Sequence, residues 1–583
     1  MVFLSSDRLN AGLLARFARR ELAPNRYDLI AIVLIGGLAV LVVHGAEQMG
    51  LPVSALSSRP VSLDPAHLPE YALRSTLRMF AAIACSLVFT FVVATLAAKS
   101  RRAELVIIPM LDIAQSIPII SFLAFTLTFF VNLFPRSELG VECAAIFLVF
   151  TSQAWNMAFS FYQSLRTLPP DLDEAARQFG LSSWQRFTKL ELPFAIPALI
   201  WNTMMSMSGG WFFVVASEAF TVGQKSFMLP GIGSWLAVAI DRQDLGAVAM
   251  AVGAMAVVIV LYDQLLFRPV VAWADKFRFE QTASADEPQS WFLDLLRRTR
   301  LARRLTLPLG ALLRSAPRLP FLRRLPAAPA LGPRAAMWVD RGWYALVGLV
   351  VIWAVFTIIR YLAHSLDLRD VAVAFEAGLV TLLRVVVLIV VASLIWVPIG
   401  VWIGMRPVWS QRVQALAQFL AAFPANVIFP FAVIGIVAWK LNPDIWLSPL
   451  IILGTQWYIL FNVVAGASAL PTDLREAAGI FKLRSWQRWR DFILPGIMPY
   501  YVTGALTASG GSWNASVVAE VVSWGHSTLS ARGLGAFISK ATAAGDIPRV
   551  ALGAAVMSVF VIALNRSLWR PLYAYSEKNF RLT

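Results

Sequence analysis

Long apolar stretches recur along this chain, and each is long enough to cross a lipid bilayer as a helix. DLIAIVLIGGLAVLVVHG and LGAVAMAVGAMAVVIVLYDQLLF are two of them, and about 20 consecutive apolar residues span the hydrocarbon core. A soluble core built of such segments would leave too few polar residues to cover its surface. Only 14% of residues are charged and 58% are hydrophobic, against about 25% charged in ordinary soluble domains. The chain reads as an all-α polytopic membrane protein, with the bilayer as its surroundings. Its formal net charge of +16 would suggest nucleic acid in a soluble protein. Here it matches the enrichment of Lys and Arg in cytoplasmic loops, so no nucleic acid partner is expected. Cys85 and Cys143 sit in apolar runs and point to neither a disulfide nor a metal.

The chain repeats itself. DEAARQFGLSSWQRFTKLELP (173–193) aligns with REAAGIFKLRSWQRWRDFILP (475–495), with 11 of 21 positions identical at an offset of 302. The offset holds for Trp155 and Trp457, Trp211 and Trp513, Glu218 and Glu520, Gly231 and Gly533, and Asp244 and Asp546. Upstream it drifts to 306, where Pro118 pairs with Pro424. This is a tandem duplication, and a repeat of this size decides the architecture. Each half holds six expected spans: 27–46, 74–98, 105–133, 139–167, 194–220 and 245–267, then 342–363, 377–405, 413–439, 446–469, 496–523 and 550–569. The expected organisation is a cytoplasmic N-terminal segment 1–26, a transmembrane domain 27–269 with a polar loop 168–193, a basic linker 270–340, a second transmembrane domain 341–571 with a polar loop 470–495, and a tail 572–583. The run after Arg16, Arg19, Arg20 and Arg26 is read as a retained helix, because the second half opens on a comparable one, WYALVGLVVIWAVFTIIRYLA.

Orientation follows from Lys and Arg. The arginine-rich start, the AAKSRRAE loop, both polar loops, the linker and the tail fall on one side, the cytoplasm. An even number of spans per half gives both halves one orientation, so they pair about an axis along the membrane normal. In the linker, Trp291–Leu305 is read as a helix lying on the anionic inner leaflet, arginines upward, in preference to a loose tether.

Each polar loop reads as a short capped helix at the membrane face. Pro169 and Pro170 end the incoming span, Asp171 is placed to cap, and Glu174 completes a box-like start. Asp473 and Glu476 repeat this. Gly180 permits a sharp exit. Ala175 and Ala176, like Ala477 and Ala478, leave a smooth face for a partner's groove. A routine loop has no reason to keep such identity between halves; a shared two-fold partner supplies one.

EAARQFGLSSWQRFTKLELPFAIP and EAAGIFKLRSWQRWRDFILPGIMP resemble the EAA motif of binding-protein-dependent ABC importer permeases. The resemblance covers nearly all of both halves. It implies two six-helix type I permease domains fused in one chain, pseudo-two-fold symmetric, so that no second permease chain is needed. It implies that Glu174, Ala175, Ala176 and Gly180, with Glu476, Ala477, Ala478 and Gly479, form coupling helices that enter clefts on two ATPase subunits. A substrate-binding protein, periplasmic or lipid-anchored, would deliver the solute across the bacterial cytoplasmic membrane. FRPVVAWADKF and WRPLYAYSEKNF, with GIGSWLAVAIDRQD and GLGAFISKATAAGD, resemble the nitrate/sulfonate/taurine/bicarbonate branch, which implies a small anion. The second copy departs from the motif: Lys482 stands where Gly180 does, and Gly479 comes earlier.

The chain has no G-x-x-x-x-G-K-[ST] phosphate cradle, and VGQKS at 222–226 lacks the Gly-Lys pair. ATP and Mg2+ are expected on the partner ATPases, and no cofactor, metal or catalytic residue on this chain. His44, His67, His364 and His526 are scattered. The fifth spans, SMSGGWFFVVASEAF and TASGGSWNASVVAEVV, carry small residues that allow close helix approach and a carboxylate costly within a membrane. Glu218 and Glu520 lie near the outer ends, where they fit a gate role, holding the following loop through backbone N–H groups, better than substrate contact. Ser208, Trp211, Ser509, Trp513 and Asn514 are either pathway-lining or packing groups. Pro118 and Pro424 interrupt the third spans and suit a constriction or pivot. An ion-coupled secondary transporter, working without an ATPase, is the alternative; a membrane-embedded enzyme lacks its catalytic cluster.

Overall fold

The computed structural model describes residues 61–277, 290–299 and 333–580, apart from turn positions 116, 136, 223–224, 471, 484 and 526, together with isolated positions between 30 and 43. The expected first span, most of the linker and the end of the expected 291–305 helix lie outside the described residues.

Among the described residues, six helices are long and apolar enough to cross a membrane, or nine if each of three bent pairs is one span. In the first half they are Pro65–Lys99, Leu139–Arg166 and Leu245–Ala274, with the pair Arg101–Ala114 and Ile119–Leu133 bent by 102°. The second half contributes Met337–Ser365, Leu368–Gly404 and Ile547–Ser576, with pairs bent by 80° at residues 422–425 and by 44° at residues 453–456. The two third spans break where Pro118 and Pro424 stand. Proline offers no N–H to the helix and pushes the preceding residue out of helical geometry.

The fifth helices, Leu192–Glu218 and Leu494–Ala519, hold 27 and 26 residues, about 40 Å at 1.5 Å per residue. They are long enough to span, yet they fall outside the most apolar set. Their Ser, Gly and Asn face protein instead of lipid: Ser509, Ser512, Ser516 and Gly504 are all buried. Gly504 permits close backbone approach, since a Cβ there would sit 2.7 Å from the Tyr458 carbonyl oxygen on the fourth helix of that half.

The repeat extends to irregularities. A π turn precedes each fifth helix, at Phe187–Glu191 and Trp489–Ile493. Another ends each sixth helix, at Asp263–Phe267 and Asn565–Trp569. After each fifth helix comes a two-stranded hairpin, Ala219–Val222 with Lys225–Met228 and Val521–Trp524 with Ser527–Ser530. The expected spans 194–220 and 496–523 therefore overrun into strand.

The described residues form two units. Ser160–Asn202 and the described parts of Val260–Trp338 belong to one; the described parts of Met49–Phe159, Thr203–Ile259 and Val339–Thr583 belong to the other. In the first unit, the linker helix Trp291–Arg298 is capped by Ser290 Oγ, which accepts from the Leu293 N–H at 3.2 Å. Trp291 Nε1 donates to Gln264 Oε1 at 3.2 Å, so the helix is held by protein contacts at its start. A core cluster of the second unit gathers Val385, Ile389, Ile459, Val463, Ile497, Trp513 and Phe560 from the second, fourth, fifth and sixth helices of the second half.

Candidate functional site: coupling segments and gate clusters

The first polar segment is a nine-residue helix, Pro170–Gln178, whose N-cap is Pro169 without a side-chain cap. The helix starts earlier than expected because proline is preorganised for its first position. Asp171 and Asp173 therefore lie inside the first turn and meet the positive end of the helix dipole, and Asp171 does not build a capping box with Glu174. The second helix, Thr472–Ile480, likewise holds Asp473 inside its first turn.

Both helices leave through the same geometry. Gly180 takes φ +67° and the Leu181 N–H donates to the Ala176 carbonyl at 3.1 Å. Lys482 takes φ +51° and the Leu483 N–H donates to the Ala478 carbonyl at 3.1 Å. The change from glycine to lysine leaves the exit intact and places a side chain in left-handed backbone, at about 1 kcal/mol.

One alanine of each described pair turns inward. Ala176 and Ala478 are buried, Ala175 is half-buried and Gly479 is exposed. Ala478 belongs to the same buried core cluster as Phe492, Ile493 and Ile497. The outward side carries Glu174 and Phe179, and Glu476, Ile480 and Phe481. Phe179 is 83% exposed and Phe481, its repeat counterpart, 77%. The anchoring differs between copies. Asp173 pairs with Arg177 at 2.7 Å and Arg186 at 3.2 Å, and Arg186 also reaches Glu191 at 3.0 Å. Arg475 occupies the position of Asp173 and donates to the Ala467 carbonyl at 2.7 Å, at the negative end of the fourth helix.

At its other end each fifth helix meets a buried ionic cluster. Glu218 Oε2 accepts from the Gly233 N–H at 2.7 Å, and Ser75 Oγ from the Ile232 N–H at 3.0 Å. In the second half, Glu520 Oε2 accepts from the Ala536 N–H and Thr381 Oγ1 from the Leu534 N–H, both at 2.9 Å. These bonds satisfy orphan N–H groups at the starts of two short helices, Ile232–Asp241 and Leu534–Ala544. Gly231 and Gly533 are needed for space, because a Cβ at either would overlap the carboxylate of Glu218 or Glu520.

An arginine completes each cluster. Arg78 donates through Nε and Nη2 to Glu142 at 2.6 and 2.7 Å, and through Nη1 to Glu218 at 2.7 Å. Arg384 donates through Nη1 to Glu520 at 3.1 Å and to the Arg532 carbonyl, and through Nη2 to Asp444 at 3.3 Å. Sequence reasoning missed Arg78, Arg384, Glu142 and Asp444. The available signal was an arginine at the same register of each second span, offset by 306 as Pro118 and Pro424 are, in otherwise apolar sequence.

The third-span breaks meet the fifth helix of the opposite half. Asn514 Oδ1 accepts from the Ile119 N–H at 2.8 Å, at the helix start that follows Pro118. Asn426, just after Pro424, donates through Nδ2 to the Phe212 carbonyl at 3.0 Å. Residues 212 and 514 are repeat counterparts, so the two crossings correspond. Ser208 Oγ donates to the Ala421 carbonyl beside the second break. Ser509 is buried. Trp211 and Trp513 are also buried, and Trp513 stacks on Phe560 with ring centroids 6.2 Å apart.

Comparison with known proteins agrees with the duplication. The family model described as "Binding-protein-dependent transport system inner membrane component" matches twice, over residues 86–267 and 396–569, more than half of the chain. The bicarbonate transport system permease protein CmpB of Synechococcus elongatus is 27% identical over 132 residues, 23% of this chain and 46% of that protein. The nitrate import permease protein NrtB of Leptolyngbya laminosa is 27% identical over 185 residues, 32% of this chain and 63% of that protein. The glycine betaine/carnitine transport permease protein GbuB of Listeria monocytogenes is 28% identical over 170 residues, 29% of this chain and 54% of that protein. The matched stretch thus covers less than two thirds of each relative. With two matched domains on one polypeptide, the chain belongs to the family of binding-protein-dependent transport system inner membrane components.

Proposed function

We propose that this chain is the fused transmembrane permease subunit of an ATP-driven importer in the bacterial cytoplasmic membrane, with both termini inside. It moves a small anion such as nitrate or bicarbonate, delivered by a separate substrate-binding protein. The observation that carries this reading is the duplicated coupling segment, each copy ending in an exposed phenylalanine, Phe179 or Phe481. The anionic cargo rests on the names of the bicarbonate and nitrate relatives and on the loop and tail motifs quoted above.

Two ATPase subunits hold ATP and Mg2+, and each grips one coupling helix through its apolar tip and through Glu174 or Glu476. Their closure pulls the helices. Ala478 lies in one core with Ile497 of the fifth helix, and Arg475 bonds the end of the fourth, so force on the second coupling helix reaches both. Within the first unit, Asn202 Nδ2 donates to Ser160 Oγ at 2.7 Å and joins the corresponding helices. The gate end then opens toward the binding protein. A near-complete switch requires the nucleotide-driven partner to favour one state by about 5.5 kcal/mol.

The test is vanadate-sensitive ATP hydrolysis and uptake by the reconstituted importer. Glu174→Lys with Glu476→Lys, or Phe179→Ala with Phe481→Ala, should lower coupled uptake at least tenfold while insertion persists. Wild-type uptake in both double variants refutes the docking role. Uptake by the chain alone, driven by an ion gradient without ATP, supports the secondary-transporter alternative instead.

A further inference from the structure

The two junctions between the halves use counterpart positions but not the same side chains. At one junction the fifth helix of the first half stays packed on the second half well below the third-span break. Ser208 Oγ donates to the Ala421 carbonyl, Gln418 Nε2 lies 3.4 Å from Met204 Sδ, and Met205 packs against the second-half core. Tyr458 completes the seal. Its side chain is buried, and a Cβ at Gly209 would sit 3.6 Å from its hydroxyl oxygen.

At the other junction the fifth helix of the second half meets the first half where Asn514 Oδ1 accepts from the Ile119 N–H at 2.8 Å. Toward the inner end the residues that seal the first junction are replaced. Gly510 stands in place of Ser208 and has no hydroxyl, Thr507 stands in place of Met205, and Asn156 in place of Tyr458. Asn156, Thr503 and Thr507 are all exposed. Thr503, Thr507 and Asn514 lie within about 40° of one another around the helix at 3.6 residues per turn. They therefore share the face that Asn514 turns toward the first half. Asn156 belongs to the fourth helix of that half, Leu139–Arg166. An exposed amide in the course of a spanning helix is costly against lipid; a water-filled cleft between the halves supplies its hydrogen bonds. The threonine hydroxyls rest on carbonyls of their own helix, Pro499 and Thr503, both at 2.9 Å. Rotation about one bond turns either proton into the cleft.

We propose that the anion passes through this single cleft, to one side of the pseudo-two-fold axis, along Asn156, Thr507 and Thr503, and that Tyr458 plugs the counterpart route. The inference rests on the importer reading above and adds the route. The cleft offers an amide and two hydroxyls to the anion. Such neutral groups replace part of a small anion's hydration shell without holding it as a cationic side chain would, and a conducting site must release what it binds. Fusion of the halves makes the one-sided route possible, because an asparagine at 156 does not impose one at 458.

The experiment uses the complete importer in nanodiscs, with Cys85→Ser and Cys143→Ser as background. Single cysteines are introduced as Asn156→Cys, Thr507→Cys and, on the sealed side, Met205→Cys. Each is treated with the negatively charged thiol reagent sulfonatoethyl methanethiosulfonate. Asn156→Cys and Thr507→Cys should react at least tenfold faster than Met205→Cys. Equal rates at all three positions mean a route on the axis and overturn the proposal. No reaction at either Asn156→Cys or Thr507→Cys means that these positions face lipid, which overturns it as well. In uptake assays, Asn156→Tyr should lower transport at least tenfold in a complex that still assembles, Asn156→Ser should restore at least a third of it, and Tyr458→Phe should stay within twofold of wild type. Wild-type uptake in Asn156→Tyr overturns the route. A wild-type complex that shows the expected labelling but no ATP-dependent uptake leaves the cleft in place and sinks the importer reading, a separate failure.

Discussion

Replacing Arg78 by methionine removes three charge-assisted hydrogen bonds, at 2.6, 2.7 and 2.7 Å, from a site whose three side chains are fully buried. Glu142 loses two of these contacts at once and Glu218 the third, and water cannot replace them. Removing one partner of a buried ion pair costs about 3–5 kcal/mol. The matching change, Arg384→Met, breaks longer bonds, at 3.1 and 3.3 Å, and one to the Arg532 carbonyl. Glu520 then keeps Thr381 Oγ1 and the Ala536 N–H, each at 2.9 Å, and the half-exposed Asp444 takes up water. That loss is about 1–2 kcal/mol, between a typical hydrogen bond to a charged group and a surface pair. Thermal inactivation of the purified protein, read as loss of monodisperse material, should rank Arg78→Met at least about 1 kcal/mol below Arg384→Met by these figures. Adding Glu142→Met to Arg78→Met should recover much of the loss, because an apolar replacement of a buried pair is often neutral. If Arg384→Met is as damaging as Arg78→Met, or the double variant is worse than the single, the assignment of the first cluster as the sealed one is wrong.

Two further outcomes follow from local geometry. Lys482→Gly should raise the thermal midpoint, gaining up to about 1 kcal/mol by relieving left-handed backbone at φ +51°; Lys482→Ala keeps the strain and should gain nothing. Asn514→Ala leaves the Ile119 N–H without its acceptor and should cost about 1 kcal/mol, as loss of a helix cap does, with slower uptake in vesicles; Asn514→Asp retains an acceptor and should restore the stability.

The duplication, the helical membrane-spanning class and the helices in the two polar segments were legible because they depend on local signals: hydrophobic run length, a constant offset, and proline. The breaks at Pro118 and Pro424 follow from the same local chemistry. What escaped is long-range. Arg78 meets Glu218 across 140 positions and Asn514 meets Ile119 across 395, and no spacing rule spans such distances. The inward turn of Ala176 and Ala478 escaped for a related reason. A small residue on a polar helix has the same appearance in sequence whether it makes room for a partner or for its own chain.

Fusion of the two halves changes what selection can reach. In a permease made of two identical chains, every substitution appears at both symmetry-related places and must be tolerated at both. Here position 230 is proline and its counterpart 532 is arginine, whose N–H the Asp444 carboxylate needs. A proline at both places would abolish that contact, and the single polypeptide frees each place to keep the residue its own surroundings require.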